Sequence, residues 1–330
     1  MCRVYVAGCA MRRNKLNEIV RAIQTMSWVE RGELMKRLRV AQAGQQADEI
    51  VEQRQQALSM CPHCGDMHVV RNGTAGGLQR YKCRGCGKTF NSLTRTPLAR
   101  LRHRSLWLEQ AQALIDGLSI TKVANRLEVA RSTAFRWRHR FLALPDHVKS
   151  GVFAGIVEAD ETCWLKSNKG QCAALRALCR PARHRGGRAT QRGMTSEHDI
   201  VLVVRDRSGA CTDQIVKALD TAHLAAVLQP VLARDAVLCT DGSAALAAAA
   251  RHIGVEHHAI NANDRLPYIG PWHINNVNGY HSRIKNWMSR FHGVASSYLH
   301  HYLGWFRALD RFSPIGGLQP NALLRMAVGC

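Results

Sequence analysis

Apolar side chains recur every three to four positions through residues 12–58, as in LNEIVRAIQTMSWVERGELMKRL, and no proline interrupts, so the pattern predicts one continuous helical arm. From 61 to 90 that periodicity stops and Cys, Gly and aromatic residues take over, before helical spacing returns over 105–144 and closes at Pro145. Beyond it, β-like apolar runs at 155–160 (GIVEAD), 199–206 (DIVLVVRD) and 235–241 (closing on VLCTD) are interleaved with helical stretches at 221–234 and 243–253, which predicts a mixed α/β domain. Residues 166–195 carry Lys, Arg and Gly without apolar periodicity and read as an extended excursion between the first two strands. No internal repeat is evident. The resulting layout is multidomain: a helical N-terminal arm at 1–58, a Cys-rich module at 59–92, an all-α unit at 100–145, an α/β domain at 152–312 with its basic insert, and a tail at 313–330.

Composition sharpens this picture. A chain of 330 residues with 46% hydrophobic content can bury a sizeable core, yet its net charge is +22, which points to a polyanionic partner. The excess is concentrated: residues 71–104 hold nine Lys or Arg and 162–196 hold eight, with no Asp or Glu in either strip. Two such strips suit two contacts along nucleic acid. No apolar run approaches the roughly 20 residues that span a bilayer, and the N-terminal MCRVYVAGCAMRRNK puts its charges after a short apolar segment, so neither a membrane helix nor a signal peptide is expected. Of twelve cysteines, eight are scattered and four form two tight pairs, a usage that fits a reducing cytoplasm and one metal site.

The pairs are Cys61-Pro-His-Cys64 and Cys83-Arg-Gly-Cys86, two knuckles whose spacing lets four thiolates surround one structural Zn²⁺ as a zinc ribbon. Gly65 and Gly87 follow the knuckles, where the chain must curl back toward the sulfurs. In the all-α unit, Ser119 can cap a helix carrying Ile120, Val123, Ala124 and Leu127 on one face, and a short turn then leads into a second helix from Arg131. This predicts a helix-turn-helix that buries Ala134, Phe135 and Trp137 or Phe141 and offers Arg131, Ser132, Thr133, Arg136 and Arg138 to a DNA major groove.

In the α/β domain Asp160 ends one apolar strand, Asp241 ends another, and Asn278 lies on a helical stretch with Lys285 about two turns further along the same face. Cleavage of a phosphodiester with two Mg²⁺ (or Mn²⁺) ions per active site needs hard oxygen ligands converging from separate elements, and these residues fit that demand. Lys285 suits a DNA phosphate. Asn275 or Asn276 could replace Asn278 as the third ligand, or there could be none. Strand alternation sends Glu161 to the face opposite Asp160.

The ordered blocks CPHC and CRGC, VEADETCW around Asp160, RGGRATQRGMTSEHDIVLVVRDRSG at 185–209, CTDGS around Asp241 and HINNVNGYHSRIK at 273–285 resemble the ISXO-like DDE transposases of bacterial insertion sequences, over about three quarters of the chain. The resemblance implies an RNase H-like catalytic domain behind the zinc ribbon, with Asp160, Asp241 and Asn278 as Mg²⁺ ligands. Many relatives have Glu at the third position; Asn278 offers an amide oxygen but no charge, as in a recognised variant of the family. It also implies double-stranded DNA as partner (element ends and target), assembly as a homo-oligomer on DNA, contacts from Arg183, Arg185 and Arg188 of the insert, a cytoplasmic, nucleoid-associated bacterial location, and no small-molecule cofactor. The alternative is a catalytically silent DNA-binding regulator derived from a transposase.

Overall fold

The computed structural model describes residues 13–57, 60–147, 149–171, 187–191, 193–260, 268 and 270–329. Its N-terminal arm is two helices, α1 (Arg13–Thr25) and α2 (Trp28–Ala57), where the periodicity predicted one. The break is a capping box: the Glu30 amide donates to Ser27 Oγ (3.3 Å) and the Ser27 amide donates to Glu30 Oε2 (2.8 Å). The Ser-x-x-Glu signature was present in the sequence, but apolar periodicity ran across it. Among the described residues, no helix is long and apolar enough to cross a membrane.

Strands β1 (Val69–Ala75), β2 (Leu78–Cys83) and β3 (Thr89–Asn91) form an antiparallel sheet in chain order around the cysteine pairs. Three helices follow: α3 (Trp107–Ile115), α4 (Ile120–Leu127) and α5 (Arg131–His147). Ser119 caps α4 by accepting from the Lys122 amide, and Glu128, left-handed at φ 54°, ends the helix and turns the chain toward α5.

The α/β domain comprises β4 (Ile156–Leu165), β5 (His198–Asp206), β6 (Cys211–Val216), α6 (Thr221–Leu228), β7 (Val237–Thr240), α7 (Ala244–Ile253), β8 (Glu256–Ala259) and α8 (Asn275–Ser289), then α9 (Leu299–Phe312) and α10 (Pro320–Val328). Its sheet has the order β6-β5-β4-β7-β8, antiparallel through β6, β5 and β4 and parallel through β4, β7 and β8. Edge strands β6 (CTDQIV) and β8 (EHHA) were not expected, because neither carries a clean apolar pattern. Backbone pairing to one neighbour holds them instead.

Alternation along the central strands splits the interior in two. Val157, Ala159, Leu202 and Val204 pack against Leu224 and Leu228 of α6 and Leu246 and Ala250 of α7. Val201 and Val203 face the other way, toward Val277, Tyr280 and Ile284 of α8, and this second core runs on without interruption through α9 and α10 into α3, α4, α5 and the end of α2. The helical unit and the α/β domain therefore share one hydrophobic core. Trp305 of α9 fixes the junction by donating its indole N–H to the Leu114 carbonyl of α3 (3.0 Å).

That shared core overturns two assignments on α5. Arg138, expected at a DNA surface, is buried: its guanidinium donates to Tyr302 Oη (3.2 Å) and to the Leu118 carbonyl, and lies over the rings of Trp305 and Phe291. Phe135, expected inside, is 39% exposed. Read against α4 alone, α5 has a narrow buried stripe; packed also on α9 and α10, it buries a wider sector centred on Trp137 and Arg138.

The segment set apart as a tail contributes α10, whose Leu323, Leu324, Ala327 and Val328 are fully buried. Leu324→Ala should therefore lower unfolding free energy by about 2–5 kcal/mol, as for a core leucine, measured by chemical denaturation of the full chain. A solvated tail residue would cost within about 0.5 kcal/mol, and that outcome would contradict the packing described.

Candidate active site and cysteine cluster

The sheet gathers acidic side chains where β7 stops. β4 pairs with β7 only as far as Ala159 opposite Thr240, and then continues for six residues with β5 as its sole partner. Asp160 is the first residue past that point, and Asp241 is the first residue past the end of β7. Their carboxylates lie together with that of Glu161, the three groups each offering an oxygen within 4.8 Å of the others.

Glu161 corrects the expectation that alternation would remove it from the site. Its backbone does face the other way: Asp160 opposes Val203, on the α8 side, and Glu161 opposes Leu202, on the α6–α7 side. With no strand beside β4 at this level, side chains leaving opposite faces can curl around the exposed edge and meet. The brevity of β7, ended by Asp241-Gly242-Ser243, was the available signal. Asp160 Oδ1 accepts from the Glu161 amide (2.8 Å) and Asp241 Oδ1 from the Ser243 amide (2.9 Å), which orients both carboxylates. Burial, reinforced by the neighbouring Asp160 and Asp241 charges, raises the Glu161 carboxyl to about 7. Burial also pushes Asp241 up, despite the Ser243 hydrogen bond.

Helix α8 is brought beside this cluster by Glu158, whose side chain has no solvent exposure. It accepts from Arg207 Nη1 (2.5 Å), Asn276 Nδ2 (2.8 Å) and the Val277 amide (2.9 Å). Asn276, one of the open alternatives for a third ligand, is thus engaged with Glu158. Nearly two turns into the helix, His281 Nδ1 lies 3.4 Å from Asp160 Oδ2. Asn278 is exposed one turn before His281, and Lys285 is exposed one turn after it, bordering a cleft of about 360 Å³ with Trp164 and Asp199. His281 was not singled out in the sequence, although its spacing of three from Asn278 places it on the same helical face.

The donor set is three carboxylates, the hard anionic oxygens that Mg²⁺ and Mn²⁺ take. A second set is soft. Cys61, Cys64, Cys83 and Cys86 bring their sulfurs within 4.8 Å of one another, with Cys61–Cys86 at 3.8 Å and Cys64–Cys83 at 3.6 Å. Both knuckles turn alike: Gly65 (φ 79°) donates to the Cys61 carbonyl and Gly87 (φ 69°) to the Cys83 carbonyl, while the His63 and Cys86 amides donate to the Cys61 and Cys83 sulfurs. Four converging sulfurs with amides aimed at them suit a closed tetrahedral metal site.

Of the residues proposed to meet DNA, Arg131, Ser132 and Arg136 are exposed on α5 and Thr133 is partly so. Arg131 and Ser132 border a groove of about 830 Å³ that runs to Lys169 and Arg290 on the α/β side. Arg188 is exposed; Arg183 and Arg185 lie outside the described residues.

Residues 152–307 match the family described as the ISXO2-like transposase domain. A protein of the transposable element ISH50 from Halobacterium salinarum, itself uncharacterised, is 27% identical over 251 residues, covering 75% of this chain and 83% of its own length. Among solved structures, the pre-cleavage Mos1 transpososome aligns with 67% of this chain and 78% of its own at 13% identity and a TM-score of 0.22.

The Glu161 carboxyl sets a pH signature. A folded value near 7 against an ordinary 4.5 means that its contribution to stability is full below pH 4.5 and is lost as pH rises through 7. In buffer without added divalent cations, Glu161→Gln should melt above the parent at pH 8, and the gain should shrink toward pH 5. A pH-independent difference in melting temperature would show that this carboxylate is not held against its neighbours.

Proposed function

We propose that the chain, whose residues 152–307 match the ISXO2-like transposase domain family, is a DNA transposase that binds the terminal inverted repeats of an insertion sequence, cleaves at them and joins the freed ends to target DNA. The observation that carries this reading is the meeting of Asp160, midway along β4, with Asp241, just past the end of the adjacent β7, beside α8. We read the five-stranded sheet as the core of an RNase H-like catalytic domain.

Two Mg²⁺ or Mn²⁺ ions bound there would activate the attacking oxygen and stabilise charge on the leaving one. Asp160 and Asp241 would hold them with anionic oxygens, and Asn278, exposed on the adjoining helix, would contribute an amide oxygen without charge. Water attacking phosphorus breaks the bond to the 3′ oxygen, giving a 3′-hydroxyl and a 5′-phosphate. That hydroxyl then attacks a target phosphodiester in the same way. Lys285, on the same stripe of α8, would hold a DNA phosphate at the mouth of the site.

Recognition rests on other parts. We assign α4 and α5 as a helix-turn-helix in which Arg131, Ser132, Thr133 and Arg136 reach DNA, with Arg188 and the rest of the basic insert on flanking phosphates. The cysteine cluster takes one structural zinc, a zinc ribbon that presents the first basic strip. Two element ends must be processed together, which calls for a homo-oligomer on DNA.

In a nicking assay on a duplex carrying an element end, Asp160→Ala and Asp241→Ala should reduce Mg²⁺-dependent cleavage by at least a hundredfold while binding stays within about threefold. Arg131→Ala with Arg136→Ala should weaken binding and flatten its salt dependence. Parent-like cleavage by the aspartate variants would defeat the catalytic reading. A parent chain that binds ends but never cuts favours a silent regulator.

For the cysteines, elemental analysis should find one zinc per chain, falling close to zero in Cys83→Ser with Cys86→Ser. Full zinc content in that double variant would place the metal elsewhere.

A further inference from the structure

We infer that Glu161 is a direct ligand of the divalent cations and restores, from the strand, the negative charge that Asn278 does not bring from the helix. The inference rests on the Asp160–Asp241 site described above and assigns that site a residue the family comparison does not name.

Geometry is the first support. Each of the three carboxylates has an oxygen within 4.8 Å of an oxygen on each of the other two, close enough for one pair of bridged cations to touch all three. Glu161 reaches that position only because β7 ends at Thr240 and frees the edge of β4. Its longer side chain suits the path from the far face, which an aspartate would span less easily.

The second support is what surrounds the cluster. The neighbouring carboxylate of Glu158 is answered by Arg207, by the Asn276 amide group and by the Val277 N–H. Asp213 and Asp310 likewise sit against Arg307 and against Arg205 and Arg283. Among the described residues, no Lys or Arg forms an ion pair with Asp160, Glu161 or Asp241. Where this fold keeps those carboxylates for structure it pairs them with guanidinium groups, and here it collects three with none among the described residues. Such a group of like charges is held for a cation that arrives from solution.

A third observation comes from α8. His281 is buried, its Nδ1 lies 3.4 Å from Asp160 Oδ2, and its Nε2 has no hydrogen-bond partner. Buried ring nitrogens are ordinarily satisfied, so this one marks an incomplete polar site. Mg²⁺ and Mn²⁺ keep several of their waters when protein-bound, and such water is a natural partner for a buried imidazole that lies against Asp160 and is left incompletely satisfied. His281 would then position Asp160 and the hydration shell without ligating the metal.

Charge count makes the proposal specific. Two aspartates alone give two negative charges for two dications. With Glu161 the site has three, as it would with a glutamate at position 278, and the charge enters from β4.

The test is Mn²⁺ titration of the zinc-loaded full chain at pH 7.5, followed by calorimetry and by the paramagnetic resonance signal of free Mn²⁺, with Mn²⁺-induced rise in melting temperature as an independent readout. Glu161→Gln should weaken Mn²⁺ binding at least tenfold and remove most of that rise, a larger loss than Asn278→Ala produces, because the first removes a charged oxygen and the second a neutral one. Glu161→Gln combined with Asn278→Glu should recover part of the lost affinity. Circular dichroism and the melting curve without Mn²⁺ establish that Glu161→Gln is folded, and Glu161→Asp provides a second variant that keeps the charge and shortens the reach. Parent-like Mn²⁺ affinity in folded Glu161→Gln, while Asp160→Ala and Asp241→Ala lose theirs, overturns the role of Glu161 and leaves the underlying site standing. Parent-like affinity in the aspartate variants as well would remove the site itself.

Discussion

Glu158 is the contact on which the placement of the active site depends. Its buried carboxylate joins β4 to the first turn of α8 through Asn276 and Val277 and draws in Arg207 from the turn after β5. An unpaired carboxylate at zero exposure would be strongly unfavourable, so the fold must supply these donors wherever Glu158 is buried. One sits at a helix N-terminus, where free amides and the positive end of the dipole favour an anion. That fixes the helix along the strand. Asp160, two residues beyond Glu158 on the same face, then meets His281, one turn beyond the anchored end.

A continuous core joins the helical unit and the carboxylate cluster in one packed body. α5 carries exposed Arg131 and Arg136 on one side and on the other buries Arg138 against Tyr302, Phe291 and Trp305. Those aromatic residues pack in turn on Trp287 of α8. Burying a guanidinium in such a junction is tolerable because rings and a carbonyl replace its water. Its burial also lowers the Arg138 guanidinium from its ordinary value. A helix placed in a DNA groove through α5 is thereby related to the carboxylates by packed side chains and not by a flexible linker.

What could be read from the sequence was local chemistry. The cysteine knuckles carry their geometry in two short spacings and two glycines, and Asp160 and Asp241 announce themselves as charges ending apolar runs. What could not be read depended on neighbours. Arg138 looks like a surface residue until α9 is laid against α5. Glu161 obeys strand alternation, yet reaches the cluster because an adjacent strand is four residues long. α10 is a stretch of ordinary apolar residues whose meaning comes only from the pocket left by α2, α3 and α5. The Ser27–Glu30 cap was local and legible, but the apolar period on both sides concealed it.

The distribution of charge then has a mechanistic logic. A net charge of +22, with two acid-free strips in the sequence, favours the DNA backbone as the partner proposed above. At the point where chemistry is proposed, the sign reverses: three carboxylates gather where β7 ends beside the middle of β4, with no guanidinium or ammonium group paired to them among the described residues. A phosphate brought there by the surrounding field meets repulsion from the site itself. Divalent cations reverse that local sign, so the arrangement that holds DNA without metal would admit the scissile phosphate only with metal. On the proposed function, electrostatics would thereby separate binding from cutting, and no movement between domains would be needed to keep the bound chain from cutting before the ions arrive.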